Sequence, residues 1–161
     1  MIQTASKTHS AVQMVRTALE RAHRYQDTHH IFTFINDEAA LAKAAAIDQR
    51  IQRGENVGPL AGVPYALKDN FLSPEGETTA SAHILEGFTS PVTATAVQKL
   101  EDAGAIMIGR TNLDAFAHGS STENSYFGPT KNSRDPERVA GGSSGGSAVA
   151  VALGIVPFAT G

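Results

Sequence analysis

Residues 141–147 contain four glycines and three serines, and no charged residue occurs from position 148 to position 161. Glycine opens backbone conformations that other residues avoid and lets backbone approach other groups closely. Serine hydroxyls can act as nucleophiles or proton relays. Residues 148–153 are typical of a buried helix and residues 155–159 of a buried strand. A flexible Gly/Ser linker is the alternative, but linkers seldom run directly into a core.

Three known glycine-rich motifs can be compared with this segment. A phosphate-binding loop requires a lysine directly after its last glycine, and Ser147 stands there instead. The dinucleotide-binding pattern G-x-G-x-x-G is also absent. The nucleophile-elbow pattern G-x-S-x-G fits twice, centred on Ser143 and on Ser144. That motif needs an acidic residue and then a histidine later in the chain. No Asp, Glu or His follows Glu137, so such a triad is not completed here.

The composition is that of a globular protein, with 41% hydrophobic and 18% charged residues. A net charge of −3 argues against nucleic-acid binding by charge alone. The absence of cysteine excludes disulfides and is compatible with a reducing compartment. Residues 1–10 lack the apolar core of a signal peptide, and no apolar run is long enough to span a bilayer. We therefore expect a location in the cytoplasm, or in an organelle matrix of a eukaryote, and no membrane contact.

Hydrophobic periodicity predicts an α/β fold in which helices alternate with strands. We expect a first helix with Val12, Val15, Leu19 and Ala22 on one face. The further predicted elements, in chain order, are a strand over 31–35, a helix from Asn36 or Asp37 to Gly54, a strand over 62–67, a helix capped by Ser90 and begun by Pro91 with Val92, Ala96, Leu100 and Ala103 inward, a strand over 105–108, and a short helix capped by Thr111 or Asn112 and ending at Phe116.

Lys68 directly follows the apolar strand predicted over 62–67. Burial at a strand end disfavours the charged ammonium, and a neutral amine can act as a base. The alternative is an ordinary surface lysine paired with Asp69. The pair His29-His30 lacks a third ligand at a convincing spacing, so we expect no metal site.

Four segments occur in an order that resembles the amidase signature family: Gly62-Val63-Pro64, Lys68-Asp69-Asn70, residues 109–112 and residues 141–147. More narrowly, residues 112–125 and 127–132, with Arg138-Val139, are similar to the A subunits of glutamyl-tRNA(Gln) amidotransferases. The resemblance covers essentially the whole chain, which would form the N-terminal portion of a single amidase domain. Because the uncharged segment ends in a predicted strand, we also expect that the chain is cut inside that domain.

The resemblance implies a mixed β-sheet covered by helices on both faces and a catalytic triad of Ser, cis-Ser and Lys. The lysine would be Lys68, and the bridging serine would be Ser143 after a cis peptide bond from Gly142. Ser144 and Asp69 would support them. The nucleophilic serine and the oxyanion hole would belong to a later segment, beyond this chain, and residues 1–161 alone are therefore expected to be inactive.

For a complete subunit, the resemblance implies hydrolysis of the side-chain amide of glutamine. The ammonia would pass to a partner subunit that uses ATP and Mg²⁺ to amidate Glu-tRNA(Gln). The expected partners are amidotransferase subunits B and C in a heterotrimer, with tRNA contacted mainly through the partner, and no cofactor is expected on this chain. A stand-alone amidase of the same family and a non-catalytic binding module are the alternatives.

The chain departs from the common family pattern at four positions. Leu113 and His118 each replace a methionine, Ala115 replaces a glutamate, and Ala140 stands where proline is frequent. His118 is interpreted either as a polar contact near the glutamine pocket or as a hydrogen-bonded structural residue. Arg110 is interpreted as a structural ion-pair partner, with a substrate clamp as the alternative.

Overall fold

The computed structural model describes residues 2–161, which form a three-stranded sheet with helices and two short 3-10 turns. The elements are, in chain order, α1 (Ala11–His29), β1 (Phe32–Ile35), α2 (Asp37–Gln52), β2 (Pro64–Lys68), a 3-10 turn (His83–Leu85), α3 (Thr95–Asp102), β3 (Ile106–Thr111), a second 3-10 turn (Ala115–Ala117) and α4 (Gly145–Ala152). Within residues 2–161, no helix combines the length and hydropathy needed to cross a membrane.

The sheet is mixed and has the strand order β1-β3-β2. Strand β2 runs parallel to β3, and β1 runs antiparallel to β3. On its other side β2 is met by residues 158–160, where Ala159 forms a parallel bridge with Ala66 and Thr160 N–H donates to Ala66 O at 3.1 Å. Every residue of β2 is buried as a result.

Both faces of the sheet are covered, as expected for the predicted α/β class. One face carries Ala66, Ile106 and Ile108, whose side chains belong to the same core as buried residues of α1, α2 and α4. The opposite face carries Tyr65, Leu67 and Met107, which form a second core with Val97 of α3. Alternation of side chains along β2 and β3 therefore divides the interior into two apolar clusters.

The first two helices and the strands over 31–35 and 62–67 lie close to their predicted positions.

The geometry of the chain after α3 requires a glycine at position 104. Gly104 has φ +88°, and a Cβ built there would lie 2.2 Å from the carbonyl oxygen of Val57. Only glycine permits both the left-handed backbone and this close approach.

The predicted start of the third helix is wrong. The structure begins α3 at Thr95 rather than at Pro91. The hydroxyl of Ser90 accepts from Val92 N–H at 3.2 Å and donates to Val92 O at 2.8 Å, which closes a tight turn instead of capping a helix. Val92 is 55% exposed and Ala96 is also exposed, so the buried residue of α3 is Val97.

Two other predicted elements also differ. Thr111 is the last residue of β3, which continues three residues past the predicted strand end at position 108, and the following turn begins at Ala115 after Asp114. The predicted strand over 155–159 is not formed, although Ala159 makes its single bridge to Ala66. Ile155 and Val156 are buried in the core shared with α1, α2 and α4, whereas Phe158 stacks on Tyr65 in the second core. The apolar pattern of this segment therefore reflects burial and not strand pairing.

Candidate active site

Lys68 is the last residue of β2 and is only 4% exposed. Its backbone N–H donates to Thr160 Oγ1 at 2.8 Å, which ties the strand end to the segment 158–160. The prediction that a lysine at this strand end would be buried is confirmed. The alternative, a surface lysine paired with Asp69, is wrong because Asp69 makes its ion pair with Arg110.

The side chain of Lys68 reaches two neighbouring serines. Its Nζ donates to Ser143 Oγ at 2.9 Å and to Ser144 Oγ at 2.7 Å. The peptide bond between Gly142 and Ser143 is cis. Gly142, Ser143 and Ser144 directly precede α4, so the helix start, the two hydroxyls and the lysine amine meet at one end of the sheet.

Asp114 and Thr122 fix the short loop before α4 by hydrogen bonds. Asp114 N–H donates to Ser143 O at 2.9 Å, and Asp114 Oδ1 accepts from Thr122 N–H at 3.0 Å. Thr122 Oγ1 donates to Gly141 O at 2.8 Å and accepts from Gly145 N–H at 3.0 Å. These contacts fix the backbone on both sides of the two serines.

The charge of Lys68 is governed by two opposing effects. Burial lowers the pKa of its amine, and the nearby carboxylate of Asp114 raises it, with burial the larger effect. The pKa of Lys68 therefore lies below its ordinary value, which increases the fraction of neutral amine at a given pH. A neutral amine beside two hydroxyls can accept a proton from either one.

Asp69 and Arg110 form a fully buried ion pair beside this site, at 3.2 Å. Arg110 also donates to three main-chain carbonyls, those of Phe71, Ser73 and Glu75, at 2.9–3.0 Å. Burial raises the pKa of Asp69 and lowers that of Arg110. Each guanidinium nitrogen is engaged within the protein, which matches the interpretation of Arg110 as a structural ion-pair partner and not the substrate clamp.

Asn112 organises the loop that follows β3. Its Oδ1 accepts from Ser81 Oγ at 2.9 Å and from Ser125 Oγ at 2.6 Å, and its Nδ2 donates to Gly128 O at 2.9 Å and to Thr130 Oγ1 at 3.1 Å. Its own carbonyl accepts from Gly146 N–H at 3.0 Å. Asn112 is therefore a structural junction, not the helix cap that the sequence suggested.

The remaining sequence candidates do not join the site. His118 is exposed, and its imidazole makes no hydrogen bond within residues 2–161, so the structural-histidine interpretation is wrong. Sequence reasoning assigned no role to Asp114, Thr122 or Thr160, which contact the loop or the lysine backbone. The first two lie inside the segment 112–125 that carries the family resemblance, and this was the available signal.

The family model described as Amidase matches residues 13–161. The chain is similar to a Gloeobacter violaceus protein named as the A subunit of glutamyl-tRNA(Gln) amidotransferase, with 54% identity over 150 residues. That match covers 93% of this chain and 31% of the relative. The chain thus spans about a third of the length of the curated relatives it matches.

Solved structures show the same fold. The crystal structure of the glutamyl-tRNA(Gln) amidotransferase A subunit from Thermotoga maritima superposes with a TM-score of 0.80 at 38% identity, covering 97% of this chain and 31% of that one. A second structure, described as a vestigial protein complex that reveals the origins of an s-triazine catabolic enzyme, gives a TM-score of 0.90 at 42% identity. The match covers 94% of this chain and 34% of the chain in that structure.

Proposed function

The chain belongs to the amidase family, and from that premise we propose that it is the N-terminal portion of the amidase domain of a glutamyl-tRNA(Gln) amidotransferase A subunit. The complete protein would be a glutamine amidohydrolase that supplies ammonia for converting Glu-tRNA(Gln) to Gln-tRNA(Gln). The names of the similar curated proteins and the Thermotoga maritima structure support this assignment.

One observation carries the proposal at the level of chemistry. The buried amine of Lys68 lies within hydrogen-bond distance of Ser143 Oγ and Ser144 Oγ, 2.9 and 2.7 Å away. In the proposed mechanism Lys68 is the base and Ser143 is the bridging serine. Gly142, Ser144 and Asp69 are supporting residues, which hold Lys68 and Ser143 in place.

The proposed reaction begins with proton transfer. Neutral Lys68 accepts the hydroxyl proton of Ser143, which accepts the proton of a nucleophilic serine supplied by a later segment of the complete protein. That serine oxygen bonds to the side-chain carbonyl carbon of glutamine. The C–N bond then breaks, and the departing nitrogen takes up the proton held by Lys68, by way of Ser143, and leaves as ammonia. Water then hydrolyses the ester to glutamate and restores the serine. The net change is glutamine plus water to glutamate plus ammonia.

The proposed partners follow from the same assignment. Subunits B and C would complete a heterotrimer, and the partner subunit would contact most of the tRNA and use ATP and Mg²⁺. This chain would bind no cofactor, and the complex would act in the cytoplasm or in an organelle matrix. Residues 1–161 alone would be inactive, because the nucleophile and the oxyanion hole would come from the later segment.

The decisive experiment measures ammonia release from glutamine by the full-length protein together with its partner subunits. We expect Lys68→Ala to abolish release while thermal unfolding remains cooperative. Lys99→Ala is the matched control, because Lys99 is exposed on α3 and the change in charge is identical. Near-wild-type release by Lys68→Ala would refute the role of Lys68.

A second candidate is a stand-alone amidase that acts on another amide. A solved structure described only as an amidase, which superposes with a TM-score of 0.85 at 39% identity, favours it. Ammonia release from glutamine that depends on the partner subunits supports the first candidate. Release from other primary amides by the isolated full-length protein supports the second. A full-length protein without turnover on either class supports the remaining alternative, a non-catalytic binding module.

A further inference from the structure

Asp114 is a buried acidic residue to which the proposed chemistry gives no role. It follows β3 and is 1% exposed. Its backbone N–H donates to Ser143 O at 2.9 Å, and its Oδ1 accepts from Thr122 N–H at 3.0 Å. One residue therefore contacts the main chain of the bridging serine and the loop that supports it.

The second carboxylate oxygen of Asp114 has no hydrogen-bond partner within residues 2–161, although it is buried. It faces Gly142, where an added Cβ would lie 2.0 Å from Oδ2. A buried polar atom without a partner costs free energy of unfolding, typically about 1–3 kcal/mol. Such an atom calls for a specific explanation.

Resting on the proposed function, we propose that Asp114 is a positioning residue of this site. Its backbone amide fixes the carbonyl of Ser143, and its carboxylate supplies the negative charge that keeps the amine of Lys68 at the two serine hydroxyls. The buried Oδ2, which has no hydrogen-bond partner within residues 2–161, lies against Gly142, the residue directly before Ser143.

The other charged groups near Lys68 do not supply this charge. The carboxylate of Asp69, the next residue in the chain, accepts from Arg110 and Thr79. Arg110, from β3, is engaged in that pair and with three carbonyls. The segments 141–147 and 158–160, which also contact Lys68, contain no charged residue.

On the loop that supports the site, Glu123 and His118 are both exposed. Asp114 is accordingly the group whose charge raises the pKa of Lys68, in opposition to burial. Removal of that charge should lower the pKa of Lys68 further. If neutral Lys68 is the base, the acidic limb of the pH–rate profile should then move to lower pH.

The test variant is Asp114→Asn in the full-length protein, because asparagine preserves the size and the Oδ1 acceptor for Thr122 N–H. Glu123→Gln is the matched control, since it removes one exposed carboxylate from the same loop. Two quantities are measured: kcat/KM for glutamine against pH, and the titration of Lys68 by NMR of protein labelled with ¹³Cε-lysine. The Lys68 signal is assigned with Lys68→Arg.

We expect both midpoints to fall in Asp114→Asn by about half a pH unit or more, and to stay unchanged in Glu123→Gln. Equal Lys68 midpoints in wild type and Asp114→Asn, or a shift to higher pH, would overturn the proposal. The NMR titration needs no substrate, so a wild type that is inactive on glutamine refutes the proposed function while Asp114 is still tested. If Asp114→Asn does not fold, Asp114→Ser is titrated, and failure of both to fold would make Asp114 purely structural and the proposal wrong.

Discussion

Lys68 Nζ lies 2.7 Å from Ser144 Oγ and 2.9 Å from Ser143 Oγ, so the amine is hydrogen-bonded to both serines at nearly equal distances. Distance alone does not identify the relay. The main chain does distinguish the two serines, because the carbonyl of Ser143 accepts from Asp114 N–H at 2.9 Å. Ser144 is the residue that precedes the first turn of α4.

The two serines should respond differently to truncation. If Ser143 is the relay of the proposed glutamine hydrolysis, Ser143→Ala should lower kcat by about 10²–10⁴-fold, because a general acid–base relay contributes on that order. Ser144→Ala should lower kcat much less, since Lys68 would retain its contact with Ser143. Steady-state kinetics of both full-length variants are the measurement. Equal losses, or a larger loss in Ser144→Ala, would show that the relay is assigned to the wrong serine.

Lys68 should lower the free energy of unfolding at neutral pH, because burial lowers the pKa of its amine. Because burial lowers its pKa in the folded state, the unfolded chain binds more protons between the folded pKa and the ordinary value of about 10.4. Stability of the wild type should therefore rise with pH through that window, relative to Lys68→Met. Urea unfolding of both proteins at one-unit intervals from about pH 7 to about pH 10 measures the difference across that window. A difference that is independent of pH, or that changes in the opposite direction, contradicts the lowered pKa.

The sequence predicted those parts of the fold that depend on local periodicity. The helix face with Val15 and Leu19 is buried as expected, and the apolar run before Lys68 forms β2. The start of α3 was mispredicted because Ser90 followed by Pro91 satisfies local helix-capping rules. In the structure the hydroxyl of Ser90 finds its partner in the main chain of Val92 instead.

The site was predictable only in part, because it depends on contacts between segments that are distant in the sequence. The residue types of Lys68 and Ser143 suggested chemistry, and their order resembled a known family. Asp114 lies in the segment 112–125 that carries the resemblance, but neither its residue type nor its spacing indicated a contact with Ser143, and nothing around Thr160 indicated a contact with Lys68. Their roles arise when β2, β3 and the segment 158–160 align side by side, and single-sequence periodicity does not specify that alignment.

Removal of one partner from the buried ion pair of Asp69 and Arg110 should strongly destabilise the protein, because it leaves the other charge buried without compensation. Arg110→Met leaves the carboxylate of Asp69 buried without its cation and three carbonyls without a donor. Removing one partner of a buried pair typically costs about 3–5 kcal/mol of unfolding free energy. Arg138→Met is the control, because its ion pair with Asp135 is exposed and should contribute under about 1 kcal/mol. Similar unfolding free energies for the two variants would argue against this role.

Gly142 should tolerate no side chain. A Cβ there would lie 2.0 Å from Asp114 Oδ2 and 2.7 Å from main-chain atoms of Ser120 and Ser121, so the loop must move away from Lys68 to admit it. We expect Gly142→Ala to lose most of the glutaminase activity proposed for the complete protein, and about 1–3 kcal/mol of unfolding free energy, as overpacking does elsewhere.

Gly141→Ala is the matched control for Gly142→Ala. Gly141 has φ +83° and nothing within 4 Å of an added Cβ, so its substitution carries only the backbone cost of a left-handed alanine, about 1–2 kcal/mol. That cost does not push the loop against Asp114, so Gly141→Ala should retain the pH–rate profile of the wild type. Activity against pH and thermal unfolding of the two full-length variants separate the cases. If Gly142→Ala keeps wild-type kinetics, the contact between Gly142 and Asp114 does not hold the two serines at the amine of Lys68.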